Sequence, residues 1–396
     1  MSTHVAKTGA AVLFERARQV MPGGNTRTTL FIPPHPPYAA RGAGFELTDV
    51  DGRRLIDLHS NYTSLVHGHA HPGVVAAAVD AVSDGTCFGL PAEPEIELAE
   101  TLCARVRAVE RIRFTNSGTE AVMMAIRAAR AFTGRPGILR FAGAYHGTAD
   151  AVASDTSPGV PERTSVDVHV VPFDDEQAFL AALAERGDEL ACVLLDLMPN
   201  RTGLRQASPA FAARVRAETA RRGILLVVDE VITFRLSHGG LQERYSLSPD
   251  LVTFGKIIGG GFPIGAFGGR ADVMAVFDPS RPTSVPHGGT FSANPVAMRA
   301  GRVALSLLDE SEIERINALG DRLRAELVAL PLEVVGRGSL LGITAVRDEP
   351  RLWWRLYEAG LLVAPIGLAT VSTPMDEPVV DEIVERFAVA LKEPGP

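Results

Sequence analysis

With 396 residues and a 46% hydrophobic content, the chain can bury a sizeable core, and it reads as one large domain with a smaller companion. Its formal net charge of -8, without a basic run or an acidic tail, argues against nucleic acid or an anionic membrane surface as partner. No apolar stretch approaches the ~20 residues of a membrane span, and the N-terminus lacks a charged-then-apolar secretory pattern, so the expected location is the cytoplasm.

In chain order, the Pro- and Gly-rich piece from Met21 to Pro37 reads as an ordered irregular arm. Phe45–Thr48 and Arg54–Asp57 flank the turn signal Asp49-Val50-Asp51-Gly52 and predict a hairpin. Next, His67, His69 and His71 stand at alternate positions before Pro72. On a strand they would face one way and suggest zinc, but no nearby Cys or carboxylate completes such a site, so no metal is expected. From Pro72 to Val276 short apolar runs alternate with helical periods. The runs are Ile112–Thr115, Gly137–Phe141, Val168–Pro172, Cys192–Leu195, Ile224–Val228 and Leu251–Phe254; Val122, Ile126, Ala129 and Phe132 carry a helical period between them. This alternation predicts an α/β fold with a mainly parallel sheet covered on both faces. A helix over Pro295–Leu308 opens the last ~100 residues, with strand candidates at Leu340–Val346 and Thr370–Ser372, an α+β pattern. Cys87, Cys103 and Cys192 lack metal-type spacing and read as small apolar residues in a reducing compartment.

The basic residues are lopsided. Only Lys7, Lys256 and Lys392 are lysines, and two of these lie near the termini. Arginine stays protonated in proteins, whereas a desolvated lysine becomes a neutral nucleophile. A chance surface lysine is the plain alternative for Lys256, and its neighbourhood argues against it. In open parallel sheets ligands collect beyond the carboxyl ends of the strands. After the first run come Asn116-Ser117-Gly118-Thr119-Glu120 and a helix, an ordinary N-cap or a phosphate site built from backbone N–H groups and the helix dipole. After Ile224–Val228 come Asp229 and Glu230, acids suited to cap the next helix or to hold a pyridinium nitrogen protonated. After Leu251–Phe254 come Gly255-Lys256 and then Gly259-Gly260-Gly261, which permit close backbone approach around the lysine. This is not a Walker loop, because Ile257 follows the lysine.

Five runs carry a resemblance: Phe114–Ala121, Gly143–Gly147, Val228–Val231, Pro249–Gly261 and Gly288–Pro295. In this order and spacing they resemble the class III (fold type I) aminotransferases, in the branch of glutamate-1-semialdehyde aminomutases and aromatic β-amino-acid aminotransferases. The likeness runs from about residue 15 to 390. It implies an N-terminal arm and small-domain segment over residues 1–60, a large cofactor-binding domain over 61–295 and a small domain over 296–396. It implies pyridoxal 5′-phosphate (PLP), joined to Lys256 as a Schiff base, with Lys256 then shuttling protons. Asp229 would pair with the pyridine nitrogen and Tyr145 would stack on the ring, with His146 nearby. Ser117, Gly118 and Thr119 would bind the phosphate. Thr290 would reach the phosphate of a neighbouring subunit, making a homodimer with shared active sites.

The same resemblance bears on substrates, which would be an amino acid and an oxo acid. Arg27, in the arm, matches the arginine that grips a substrate carboxylate, a task suited to a planar bidentate guanidinium. A surface arginine is the alternative. Tyr62, in Asn61-Tyr62-Thr63, would line the entrance. Ile366 stands where the β-amino-acid branch has a second arginine, which puts a dicarboxylate acceptor in doubt. Asp196-Leu197-Met198-Pro199 replaces the usual Glu-Pro, and Val231–Arg235 lacks the glycine of the aminomutases. The expected activity is ping-pong amino-group transfer between an amino acid, a β-amino or other non-standard acid included, and a 2-oxo acid, with an intramolecular aminomutase or an amino-acid racemase on the same scaffold as the alternative.

Overall fold

In the computed structural model, residues 8–153, 157–164 and 166–392 are described; Lys7 lies outside them. The chain forms two compact units, Pro72–Arg315 and the pair of segments up to His71 and from Ile316 onward. In the latter, β1 (Ala39–Ala43), β2 (Glu46–Asp49) and β3 (Arg54–Asp57) run antiparallel, with Leu47 opposite Leu55. The β2–β3 turn forms because Asp49 Oδ1 accepts from the backbone N–H of Asp51 (3.0 Å) and Arg53 (2.8 Å), while Gly52 takes a φ of 85°.

Seven strands build the large unit: β4 (Arg111–Thr115), β5 (Gly137–Phe141), β6 (Val168–Val171), β7 (Leu190–Leu195), β8 (Leu225–Asp229), β9 (Leu251–Gly255) and β10 (Gly265–Gly269). Their order is β4-β10-β9-β8-β7-β5-β6. All six predicted runs are strands. β7, β8 and β9 are buried along their whole length, which is why they read as continuous apolar runs. The pairings from β9 to β6 are parallel, while β10 is antiparallel to both β4 and β9. The run Gly-Ala-Phe-Gly-Gly of β10 carries no strand signal in the sequence. Its glycines are there for space, since a Cβ on Gly265 would lie 2.0 Å from the Ser117 carbonyl oxygen.

The helix Gly118–Thr133 starts at Ser117, whose Oγ accepts from Glu120 N at 3.2 Å, and stops at left-handed Gly134. It lays Ala121, Ala125, Ala128 and Ala129 on the sheet, and these small side chains allow a close approach. Val122 and Ile126 fill in against Ile138, Val227 and Leu251, each burial worth about 1.5–3 kcal/mol. Cys192 belongs to this core. Burial pushes its thiol up to about 12, so it packs rather than reacts.

In the smaller unit β11 (Val334–Arg337), β12 (Leu340–Ile343) and β14 (Leu368–Thr370) form an antiparallel sheet, and β13 (Leu361–Leu362) pairs parallel with β3. The predicted strand Leu340–Val346 is therefore too long. Ile343 N still donates to Gly367 O (2.7 Å), but Gly367 (φ 80°) turns the partner strand away, and the chain enters a helix at Thr344. The strand expected at Thr370–Ser372 lies earlier, because the ladder to β12 ends at the Leu340–Thr370 pair. The helix predicted from Pro295 runs to Leu307, and Asn294 Oδ1 caps it by accepting from Ala297 N at 2.9 Å. No described helix is long and apolar enough to cross a membrane.

Candidate active site

Because β4, β5, β7, β8 and β9 all point the same way, their carboxyl ends share one edge of the sheet. That edge presents Ser117 after β4, Tyr145 and His146 after β5, Asp196 after β7, Asp229 at the end of β8 and Lys256 after β9. At the helix start, Ser117, Gly118 and Thr119 are only partly buried, so the first amides of a 16-residue helix stay accessible to an anion. The Gly143–Gly147 loop packs on this turn. Thr148 N reaches Thr119 Oγ1 at 3.4 Å, and a Cβ on Gly147 would lie 2.5 Å from the same oxygen.

Asp229 and Glu230 divide the two roles open to a strand-end acid. Glu230, fully buried, accepts from Thr233 Oγ1, Leu241 N (3.1 Å) and Gln242 N (2.7 Å), and so caps the turn Leu241–Arg244. Asp229 is left for the edge. Its Oδ1 accepts from Thr253 Oγ1 (3.0 Å) and Val231 N (3.1 Å), and its Oδ2 lies 2.7 Å from His146 Nδ1. A carboxylate offers about four acceptor positions, and three of Asp229's are filled. One remains. Since Nδ1 donates to Asp229, His146 Nε2 is left buried with no partner among the described residues.

Lys256 takes a φ of 52°, in the left-handed region, at a cost of about 1–3 kcal/mol, the kind of strain that gathers at functional sites. Burial lowers its amine to about 8, against the pull of Asp229 and Asp196, and Arg235 lowers it further. Asp196 shifts the other way. Burial and then the Asp229 charge raise its carboxyl to about 7, although Oδ1 accepts from Met198 N at 2.8 Å. The folded chain thus keeps a proton that the unfolded chain releases near pH 4. The stability from Asp196 is fully present below that pH and is lost as pH rises through about 7. Asp196→Asn, which keeps the Met198 contact, is expected to make the apoprotein roughly 2–4 kcal/mol more stable than its parent at pH 8.5. The gap should close by pH 4 in urea unfolding; equal stabilities at both pH values would refute it.

Tyr145 is 43% exposed and borders a cavity of 590 Å³ also lined by Arg140, Thr148 and Arg201. The Arg201 guanidinium lies over its ring, 5.2 Å from the centroid. Thr290 is exposed, and its carbonyl accepts from Cys87 Sγ at 3.3 Å.

The smaller unit holds the other three predicted site residues. Arg27 lines a mainly apolar cavity of 310 Å³, together with Asn61, Asp57, His69, Trp353 and Tyr357. Tyr62 does not line it; its hydroxyl donates to Thr29 O at 2.8 Å. Pro365 reaches the cavity, while Ile366 sits in the turn beside it. His67–His71 is not a strand: His69 makes a single bridge to Gly44 and places Nε2 2.7 Å from Asp57 Oδ2. Among the described residues no group of three His, Cys, Asp or Glu is arranged to hold a metal ion.

Residues 33–391 match the family described as Aminotransferase class-III. The chain belongs to the class-III aminotransferases. This aminotransferase-family chain is 42% identical over 355 residues to the glutamate-1-semialdehyde 2,1-aminomutase of Methanothermobacter thermautotrophicus, covering 86% of this chain and 84% of that one. Among solved structures, it is similar to an omega-transaminase from Sphaerobacter thermophilus (TM-score 0.94, 43% identity, 98% of both chains). It is also similar to a beta-phenylalanine aminotransferase from Variovorax paradoxus (TM-score 0.90, 36% identity, 96% of this chain and 92% of that one). The family is PLP-dependent, and the edge fits that cofactor: an amine of lowered basicity, a carboxylate with an open acceptor position and a helix start open to an anion.

Sequence reasoning passed over Thr253 and Arg201. A threonine in an otherwise apolar strand was the available signal for Thr253, which pairs directly across from Asp229. Arg201 gave no signal beyond its place after a strand end.

Proposed function

We propose that this class-III aminotransferase moves an amino group from an amino acid to a 2-oxo acid in two half-reactions. The observation that carries the reading is the convergence of Lys256, Asp229 and the Ser117–Thr119 turn on one sheet edge. PLP, when bound, supplies an aldehyde that takes up the amine and a ring that accepts the electron pair released at Cα. Lys256 would hold the cofactor through its amine and, once released, that amine would carry the proton removed from the substrate. Asp229 would offer its open acceptor position to the cofactor's ring nitrogen, while His146 and Thr253 fix the carboxylate plane. Tyr145 would stack on the cofactor, and the amides of Ser117–Thr119 would hold its phosphate. Arg27 holds the substrate carboxylate, and Tyr62 steadies the arm through Thr29 O.

The Val231–Arg235 run, which lacks the glycine of the aminomutases, favours transfer over mutase chemistry, as does likeness to two solved transaminases. We also propose a homodimer. Phe88, Leu90 and Phe291 are exposed on two segments that the Cys87–Thr290 contact joins, an apolar surface suited to a second copy. For the reaction itself, holoenzyme given an amino donor alone is expected to release about one equivalent of oxo product and stall, resuming only when a 2-oxo acid is added. Sustained conversion of a single substrate without acceptor would replace transfer by isomerisation.

A further inference from the structure

The segment after β3 has an uncommon backbone. Ser60, Asn61, Tyr62 and Thr63 have φ values of 44°, 46°, 55° and 74°, a left-handed turn set between right-handed His59 and Ser64. None of the four is glycine, and the left-handed helix costs about 1–2 kcal/mol per L-residue, so neighbours must hold it. They do. Asp57 Oδ1 accepts from His59 N and Ser60 N, both at 2.8 Å, while Oδ2 is fixed by His69 Nε2 at 2.7 Å. Ser64 Oγ donates to Asn61 O at 3.0 Å, and Tyr62 OH to Thr29 O at 2.8 Å. What the turn achieves is visible at Asn61, whose Oδ1 accepts from Arg27 Nη1 at 2.7 Å. Both residues line the 310 Å³ cavity.

We propose that Asn61 is a specificity-determining positioning residue, which aims the Arg27 guanidinium into the cavity while leaving its charge for a carboxylate-bearing amine. The inference rests on the reading of Arg27 as the carboxylate grip. A guanidinium has five N–H donors, and Asn61 engages one, so a bidentate face remains for the substrate. An aspartate at the same place would keep the shape and tolerate the left-handed backbone, but would neutralise the charge. Among the described residues Arg27 has no carboxylate partner, as the proposal requires. The two acids that line the same cavity are occupied elsewhere, Asp57 by His59 N, Ser60 N and His69, and Asp49 by Asp51 N, Arg53 N and Tyr357 OH.

The test compares holoenzyme kinetics with an accepted amino acid and with the matching amine that lacks the carboxylate. Asn61→Asp is expected to lower the ratio of the two kcat/KM values about 30-fold, with the change carried by the KM of the amino acid. Asn61→Gly, which keeps the left-handed turn and removes the acceptor, is expected to lower the ratio about fivefold. Arg27→Ala serves as the reference and should lower it at least as far as Asn61→Asp. If Arg27→Ala lowers the ratio while both Asn61 variants leave it unchanged, the role of Asn61 is overturned and that of Arg27 stands. If Arg27→Ala leaves it unchanged, the carboxylate grip itself fails and takes the Asn61 proposal with it. Should Asn61→Asp misfold, Asn61→Gly alone decides, because glycine accepts these backbone angles without strain.

Discussion

Replacing Lys256 by alanine is expected to lower turnover by at least about 10³-fold while the far-ultraviolet circular dichroism remains that of the parent. Both halves follow from the position of the residue. Lys256 lies beyond β9 in a short turn, and no described ion pair depends on its amine, so the fold loses little. In the proposed role, the chemistry would lose its nucleophile and its proton carrier together. With the amine lowered to about 8, about one molecule in ten presents it neutral at pH 7, against about one in 3,000 for an ordinary lysine. Uptake of added PLP by the apoprotein should therefore rise with pH through about 8. A midpoint above 10, or a Lys256→Ala variant that keeps parental turnover, would remove Lys256 from its proposed role.

Asp229→Asn should be the next most damaging change, lowering kcat by roughly 10²–10⁴-fold with KM much less affected. The amide is isosteric but cannot accept at both oxygens. On one side the NH₂ would meet the Val231 N–H beside Thr253 Oγ1, and on the other it would force His146 into the tautomer that accepts at Nδ1. If Asp229 has its proposed role, the cofactor's ring nitrogen would also lose the charge opposite it. A shifted cofactor absorbance should accompany the rate loss, since the ring nitrogen changes its protonation. Parental kcat in Asp229→Asn would exclude a pyridinium partner at this position.

The large sheet was legible because strands buried on both faces must be apolar throughout, and β7, β8 and β9 are. β10 was not, because its residues answer to the space between β4 and β9 rather than to any pattern of their own. The strand ends at Ser117, Asp229 and Lys256 could be placed from sequence because each follows such a run at once. Which of Asp229 and Glu230 caps the next turn could not, since that depends on Thr233 and Gln242 meeting Glu230 in space. The left-handed turn at Ser60–Thr63 left no trace except an asparagine, which tolerates those angles but occurs widely elsewhere. It exists because Asp57 and His69, brought together by the hairpin, enforce it.

The glycines of β10 set limits on how this enzyme can be reshaped. At Gly265 a methyl group would meet the Ser117 carbonyl at 2.0 Å, and at Gly269 it would meet the Asp250 carbonyl at 2.1 Å. Each would push β10 off a neighbour, the β4 end at Gly265 and β9 at Gly269, and so shift a strand whose end carries a proposed site residue. A mutant library spread evenly along the chain would lose its members altered there, whatever substrate is selected for. Diversity is better placed in the smaller unit, at Leu30, Pro36 or Val363, where the cavity wall can change without moving that spacing.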